Sequence, residues 1–95
     1  MTLTEEDVLK SNSVWNSYSF CIQNQNTANV EAHEKIIIDS KRYGYYYWFA
    51  RDIKNSNKEL LFKELLSSAD SYLIKRFYNT ISFNKSKYEA LMLFI

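Results

Sequence analysis

The sequence predicts an all-α fold of about seven short helices, arranged as a small solenoid-like stack of degenerate helix pairs. Three observations carry this expectation. Apolar residues recur about every 28 positions, so that Phe49 and Ile53 return as Phe77 and Ile81, and Ile37 and Ile38 as Leu65 and Leu66. Pro is absent and the single Gly is Gly44. β-Turns would therefore lack their usual punctuation, whereas Asn, Ser and Asp are enough between helices. Within one copy, Tyr46, Phe49, Ala50 and Ile53 follow the i, i+3, i+4, i+7 spacing of an apolar helix face.

Each element has a local cause. Thr4 ahead of Glu5, Glu6 and Asp7 supplies a hydroxyl for the first free amides and acids for the positive helix end, starting a short helix over 5–11. Ser13 caps a second over 14–25, with Val14, Tyr18, Cys21, Ile22 and Gln25 on one face, and 26–28 form a loop. Asn29 caps a third helix over 30–39, and a fourth spans 41–54 until Asn55 to Asn57 break it. A fifth covers 58–68, Asp70 caps a sixth that runs through Ile81, and Asn84 or Ser86 starts the last. Short helices alternate with longer ones, giving units at about 1–28, 29–56 and 57–84 and a closing half-unit at 85–95. In this register Tyr46, Ala50 and Ile53 correspond to Tyr18, Ile22 and Gln25.

Composition sets the bounds. Ninety-five residues make one small domain, and eight Tyr, six Phe and two Trp give ample material for a core. A net charge of +1 gives no global field for capturing nucleic acid, although a local patch remains open. The lone Cys21 forms no internal disulfide, no apolar run reaches the length of a membrane span, and the first ten residues carry three acids where a signal peptide carries bases. These features point to a cytoplasmic protein without a membrane partner.

The segments Glu34 to Lys41 (EKIIIDSK) and Phe49 to Asn57 (FARDIKNSN) resemble tandem helix-pair repeats found in uncharacterised proteins of low-GC bacteria and their mobile elements. The resemblance extends over 34–81. It implies an α-solenoid-like stack and brings no catalytic residues with it.

The run Tyr43 to Phe49 is too aromatic for one face of a helix, because successive side chains rotate by 100°. With Tyr46 and Phe49 inward, Tyr47, Trp48 and Arg51 point outward, and Tyr72, Lys75 and Arg76 hold equivalent places in the next unit. Stacking would align Phe20, Trp48 and Arg76 in one column and Gln23, Arg51 and Asn79 in another. Exposed aromatics beside Arg have the composition of a binding hot spot. The competing expectation is that Trp48 packs against a neighbouring helix or a second chain. His33 corresponds to the apolar Leu61 and is expected to pack inside, and Cys21 lies on an apolar face, so neither points to catalysis. No metal-ligand spacing, Gly-rich phosphate loop or carboxylate pair occurs, and no cofactor is expected. At the C-terminus, Leu91, Leu93, Phe94 and Ile95 cannot all face one neighbour, which makes them candidates for self-association as a homodimer.

The expected function is a non-catalytic protein–protein interaction module using Tyr47, Trp48, Arg51, Tyr72, Lys75 and Arg76. Small phage or mobile-element inhibitors of host defence complexes, such as anti-CRISPR proteins, fit a chain built almost wholly of fold. Two alternatives stay open: a nucleic-acid-binding repeat protein using the same basic and aromatic residues, and a self-associating structural subunit.

Overall fold

The structure, a computed structural model, describes residues 4–95, so the first three residues of the expected first unit lie outside it. The fold is all-α, with no strand among the described residues. Seven α-helices follow one another: α1 (Glu5–Ser11), α2 (Val14–Gln23), α3 (Val30–Asp39), α4 (Tyr43–Asp52), α5 (Lys58–Leu65), α6 (Ser71–Thr80) and α7 (Glu89–Met92). Short 3-10 turns extend α5 over Leu66–Ser68 and precede α7 over Ser86–Tyr88.

The starts are set by side-chain caps. Thr4 and Asp7 form a reciprocal capping box on α1. Ser13, Asn29, Asn57 and Asp70 each accept the N–H three residues on, at Asn16, Ala32, Leu60 and Leu73. Several expected boundaries are corrected: the sixth helix ends at Thr80, because Ile81 turns extended, and the last spans only Glu89–Met92 after the 3-10 turn. The fourth helix begins at Tyr43 rather than Lys41, because Lys41 is left-handed (φ 59°) and Arg42 occupies the cap position. It ends at Asp52, where Ile53 turns extended. The second helix stops at Gln23, since Asn24 leaves helical geometry.

The turn within each helix pair has one construction used three times. Asn12, Lys41 and Ala69 adopt left-handed backbone (φ 52°, 59° and 55°). The Ser just before each accepts the N–H of the residue just after: Ser11 from Ser13, Ser40 from Arg42, Ser68 from Asp70. The hydroxyls satisfy amides that the left-handed residue turns away from the helix. From Asn12 to Lys41 is 29 residues, and from Lys41 to Ala69 is 28. The first interval is thus one longer than the spacing read from the apolar pattern.

The molecule measures 49 × 23 × 16 Å. Helix contacts join neighbours in sequence and next-but-one elements, α1 with α3, and α2 with α4 and α4 with α6. Helices α2, α4 and α6 therefore form one row, while α1, α3 and α5 lie along the other; the expected short–long alternation is corrected at the second pair, where α3 and α4 both have ten residues. The core between them is built on Ile37, Tyr46, Phe49, Ile53, Leu61, Phe62, Leu65 and Phe77, none of which reaches solvent. Burying each such side chain contributes about 1.5–3 kcal/mol.

Successive pairs are joined differently along the length. Glu5 Oε2 accepts the Asn29 N–H at 2.7 Å and meets His33 Nε2 at 3.0 Å, and His33 Nδ1 lies 2.9 Å from Ser17 Oγ. A carboxylate only accepts, so Nε2 carries the hydrogen and, in the neutral ring, Ser17 donates to Nδ1. At the next joint Glu34 Oε2 accepts the Asn57 N–H at 2.7 Å. Gln25 bridges the first joint at the other row, donating to the Asp52 carbonyl at 2.6 Å and accepting the Lys54 N–H at 3.0 Å. The closing segment is held by rings instead: Phe62 lies 5.5 Å from Phe77 and 5.0 Å from both Phe83 and Tyr88.

Candidate interaction surface

Helix α4 carries the aromatic run, and its neighbours decide which rings are covered. Tyr46, Phe49 and Ala50 face the core as their spacing dictates. Tyr47, expected outward, is only 4% exposed. The correction has a packing cause: α6 lies alongside α4, with the Phe77 ring 6.3 Å from Tyr47. A helix flanked in its own row buries a wider arc than a single stripe. Gly44, Trp48 and Arg51 remain exposed.

The exposed part of Trp48 belongs to a four-ring cluster across α2 and α4. Its ring centroid is 5.1 Å from Tyr45 and 6.5 Å from Tyr18. Tyr18 in turn meets Tyr45 at 5.9 Å and Trp15 at 6.0 Å. Trp15 is 60% exposed, the outermost ring of the group. Its tryptophan was not among the residues the sequence singled out. With the observed offset of 29, Trp15 corresponds to Gly44, which the next offset of 28 carries to Tyr72, an exposed line on the row of α2, α4 and α6.

That same extra residue undoes the expected columns. One step along a helix turns a side chain by 100°, so Phe20 matches the buried Phe49 rather than Trp48. Phe20 stacks on His33 instead, with centroids 5.3 Å apart and planes at 25°. Ser19 stands in register with Trp48 and Arg76, and Ile22 with Arg51 and Asn79.

Arg51 is engaged within the molecule. Its Nε and Nη2 reach the two carboxylate oxygens of Asp52 at 2.8 and 2.9 Å, a bidentate pair. Asp52 also accepts a hydrogen bond from the Tyr18 hydroxyl. The Arg51 guanidinium holds the Asp52 carboxyl below its usual range, and burial together with the Asp52 bond pushes the Tyr18 phenol up to about 12. The guanidinium carbon also lies 5.5 Å from the Tyr47 ring centroid, and that of Arg76 lies 5.2 Å from the same centroid. Tyr47 is thus buried beside two cations, and the Arg76 guanidinium lowers its phenol pKa. Tyr72, Lys75 and Arg76 are all exposed on α6.

Elsewhere, Leu91, Leu93 and Phe94 stand in solvent, Leu93 at 83% and Phe94 at 87% exposure. Ile95, expected with them, packs with Met92 against the core. An open groove of about 820 Å³ runs between α1 and α2, lined by Glu5, Asn16, Phe20 and Gln23 among others. Behind it, Ser17, His33 and Glu5 stand in the order hydroxyl, imidazole, carboxylate, but Ser17 and His33 are fully buried, so no substrate reaches the hydroxyl. Burial pushes the Cys21 thiol up to about 12, which removes its nucleophilic form near neutral pH. Among the described residues no group of His, Cys, Asp or Glu is arranged to hold a metal, and no helix is long and apolar enough to cross a membrane.

No known protein family, curated protein or solved structure matches this chain.

Proposed function

We propose that the protein is a non-catalytic protein–protein interaction module whose contact surface is the ridge of Trp15, Tyr18, Tyr45 and Trp48, rimmed by Arg51. The observation carrying this reading is that two partly exposed tryptophans from different helices are gathered into one supported cluster. Rings already braced by neighbours lose little conformational freedom when a partner covers them, and Trp, Tyr and Arg dominate binding energy at interfaces. The Asp52 bond holds Arg51 in one place at the rim. A role as a phage or mobile-element inhibitor of a host complex is one setting for such a module.

The test is capture of partners by the full chain with and without nuclease, comparing wild type with Trp15→Ala/Trp48→Ala. A nuclease-resistant partner whose affinity falls by about tenfold or more in the variant supports the reading. Material lost wholly to nuclease would replace it with nucleic-acid binding, whose affinity falls steeply with salt. Equal capture by both proteins would exclude the ridge.

A second reading rests on Leu93 and Phe94. Their exposure supports self-association through the end of the molecule, as a homodimer or a structural subunit. Sedimentation of wild type against Leu93→Glu tests it: a dimer that becomes a monomer supports it, and a wild-type monomer excludes it.

A further inference from the structure

Charge is divided between the two rows of helices. Eight of the eleven carboxylates lie on the row of α1, α3 and α5: Glu5, Glu6 and Asp7 on α1, Glu31, Glu34 and Asp39 on α3, and Glu59 and Glu64 on α5. Four lysines accompany them, Lys10, Lys35, Lys58 and Lys63. The row of α2, α4 and α6 carries one carboxylate, Asp52, against Arg51, Lys75 and Arg76, and α2 carries no charge at all. A net charge of +1 for the whole chain therefore hides an acidic side and a basic, aromatic side.

Within the basic side the cations differ. Arg51 has its carboxylate, whereas Lys75 and Arg76 have none within 4.0 Å among the described residues. Arg76 is nevertheless positioned, its guanidinium resting 5.2 Å from the Tyr47 ring centroid. Tyr72, one turn before it on α6, exposes its ring to solvent. The guanidinium, set beside Tyr47 and Tyr72, has no carboxylate partner among the described residues, and a planar fork matches a carboxylate in bidentate fashion.

We infer that the outer face of α4 and α6 binds an acidic segment of a partner protein, with Arg76 as the carboxylate anchor, Lys75 beside it, and Tyr72 and Trp48 covering apolar parts of the same segment. This rests on the interaction-module reading and names the chemistry of its partner. The charge division favours a short acidic segment over a nucleic acid. Two unpaired cations satisfy two carboxylates, whereas a phosphate backbone needs a continuous basic track and would approach a molecule whose other side is acidic. The acidic row also disfavours partners that arrive from the wrong side, so the field orients the encounter.

The experiment is a nuclear magnetic resonance titration of the isotope-labelled full chain with an acidic dodecapeptide alternating glutamate and leucine. A lysine–leucine dodecapeptide and an oligothymidine of equal length serve as controls. The expected result is selective shifts at Trp48, Tyr72, Lys75 and Arg76 with the acidic peptide. Affinity should fall about tenfold in Arg76→Ala/Lys75→Ala and less in Arg76→Lys, which keeps the charge but not the fork. These side chains are exposed, and an unchanged amide spectrum away from α6 verifies that the variants fold. No shifts with the acidic peptide, shifts centred elsewhere, unchanged affinity in the double variant, or tighter binding of oligothymidine would each overturn the inference. Trp15→Ala/Trp48→Ala under the same titration separates the two readings. Partner capture lost with the tryptophans but indifferent to Arg76 leaves the module standing and removes the acidic segment. Peptide binding lost with Arg76 but indifferent to the tryptophans keeps Arg76 as the carboxylate anchor, removes Trp48 from the bound face and removes the ridge.

Discussion

The two ends of the molecule close comparable joints with opposite chemistry. Near the N-terminus Glu5 accepts from Asn29 and His33, and His33 reaches back to Ser17, so three helices meet through buried hydrogen bonds. Near the C-terminus Phe62 meets Phe77, Tyr78, Phe83 and Tyr88. The observed offsets of 29 and 28 place Glu5, Glu34 and Phe62 in one register, so a position used twice for a carboxylate is used the third time for a ring. The reason lies in what the following segment offers. Asn29 and Asn57 begin regular helices and present a free N–H at a fixed place. The closing segment begins with a 3-10 turn and a four-residue helix, with no side-chain cap. Hydrogen bonds demand geometry, whereas ring contacts accept an irregular neighbour.

The largest expected effect is at the aromatic joint. Phe62→Ala removes a fully buried ring that touches four others. It should lower the unfolding free energy by about 3–5 kcal/mol in urea denaturation. A loss under about 1 kcal/mol would mean that the site collapses readily and that the rings do not hold the closing segment.

At the polar joint the effect should be smaller. His33→Ala leaves the buried Ser17 hydroxyl without its partner, takes one of two donors from Glu5 Oε2 and opens a small cavity, at about 2–3 kcal/mol by the same measurement. Should His33→Ala prove more damaging than Phe62→Ala, the ordering of the two joints reverses and the hydrogen-bonded one is the principal lock.

Helix starts were legible in the sequence because capping chemistry is local, whereas the short–long alternation fails at α3 and α4, which are equal in length. Thr4, Ser13, Asn29, Asn57 and Asp70 act through side chains on amides three residues away. The helix ends were less legible, since Lys41 and Ala69 adopt left-handed backbone that neither residue advertises. The candidate surface was legible in part. Trp48, Tyr72, Lys75 and Arg76 are exposed, but the burial of Tyr47 depends on α6 lying beside α4, a contact no local pattern contains. Trp15 was missed through a single residue: an interval of 28 applied where the turns are 29 apart rotates the first unit's assignments by 100°. Comparing Ser11-Asn12-Ser13 with Ser40-Lys41-Arg42 in the sequence would have shown the longer interval.

Two carboxylates sharpen the comparison through pH, and they have opposite signs. Burial raises the Glu34 pKa, so the folded state binds its proton more tightly than the unfolded state. Its contribution is greatest below the ordinary glutamate range and declines as pH rises through the window up to the raised value. Glu34→Gln keeps an oxygen for the Asn57 N–H without the charge, and should remove that decline and leave stability at neutral pH equal or higher. Asp52 behaves in reverse, because Arg51 lowers its pKa. Its stabilisation is present above the ordinary aspartate pKa of about 3.9 and is lost as pH falls below it. Arg51 and Asp52 are partly exposed, so solvent screening limits the pair to about 1 kcal/mol or less. Acid titrations of unfolding for wild type, Glu34→Gln and Asp52→Asn check both signs, and parallel curves for all three would show that neither group is coupled to folding.

The smallest effect on stability is expected beyond the aromatic joint. Leu93 is 83% exposed and touches little, so Leu93→Glu should change the unfolding free energy by less than about 0.5 kcal/mol. The neighbouring Ile95 packs against the core, and Ile95→Glu should be clearly more damaging. The pair separates two ways the end of the molecule could be stabilised. If Leu93→Glu proves as harmful as Ile95→Glu at high protein concentration but harmless on dilution, the loss belongs to an interface between chains, because stability that depends on association varies with concentration. If the two differ at every concentration, Phe62 and its rings hold the closing segment without help, and Leu93 and Phe94 remain free for another partner.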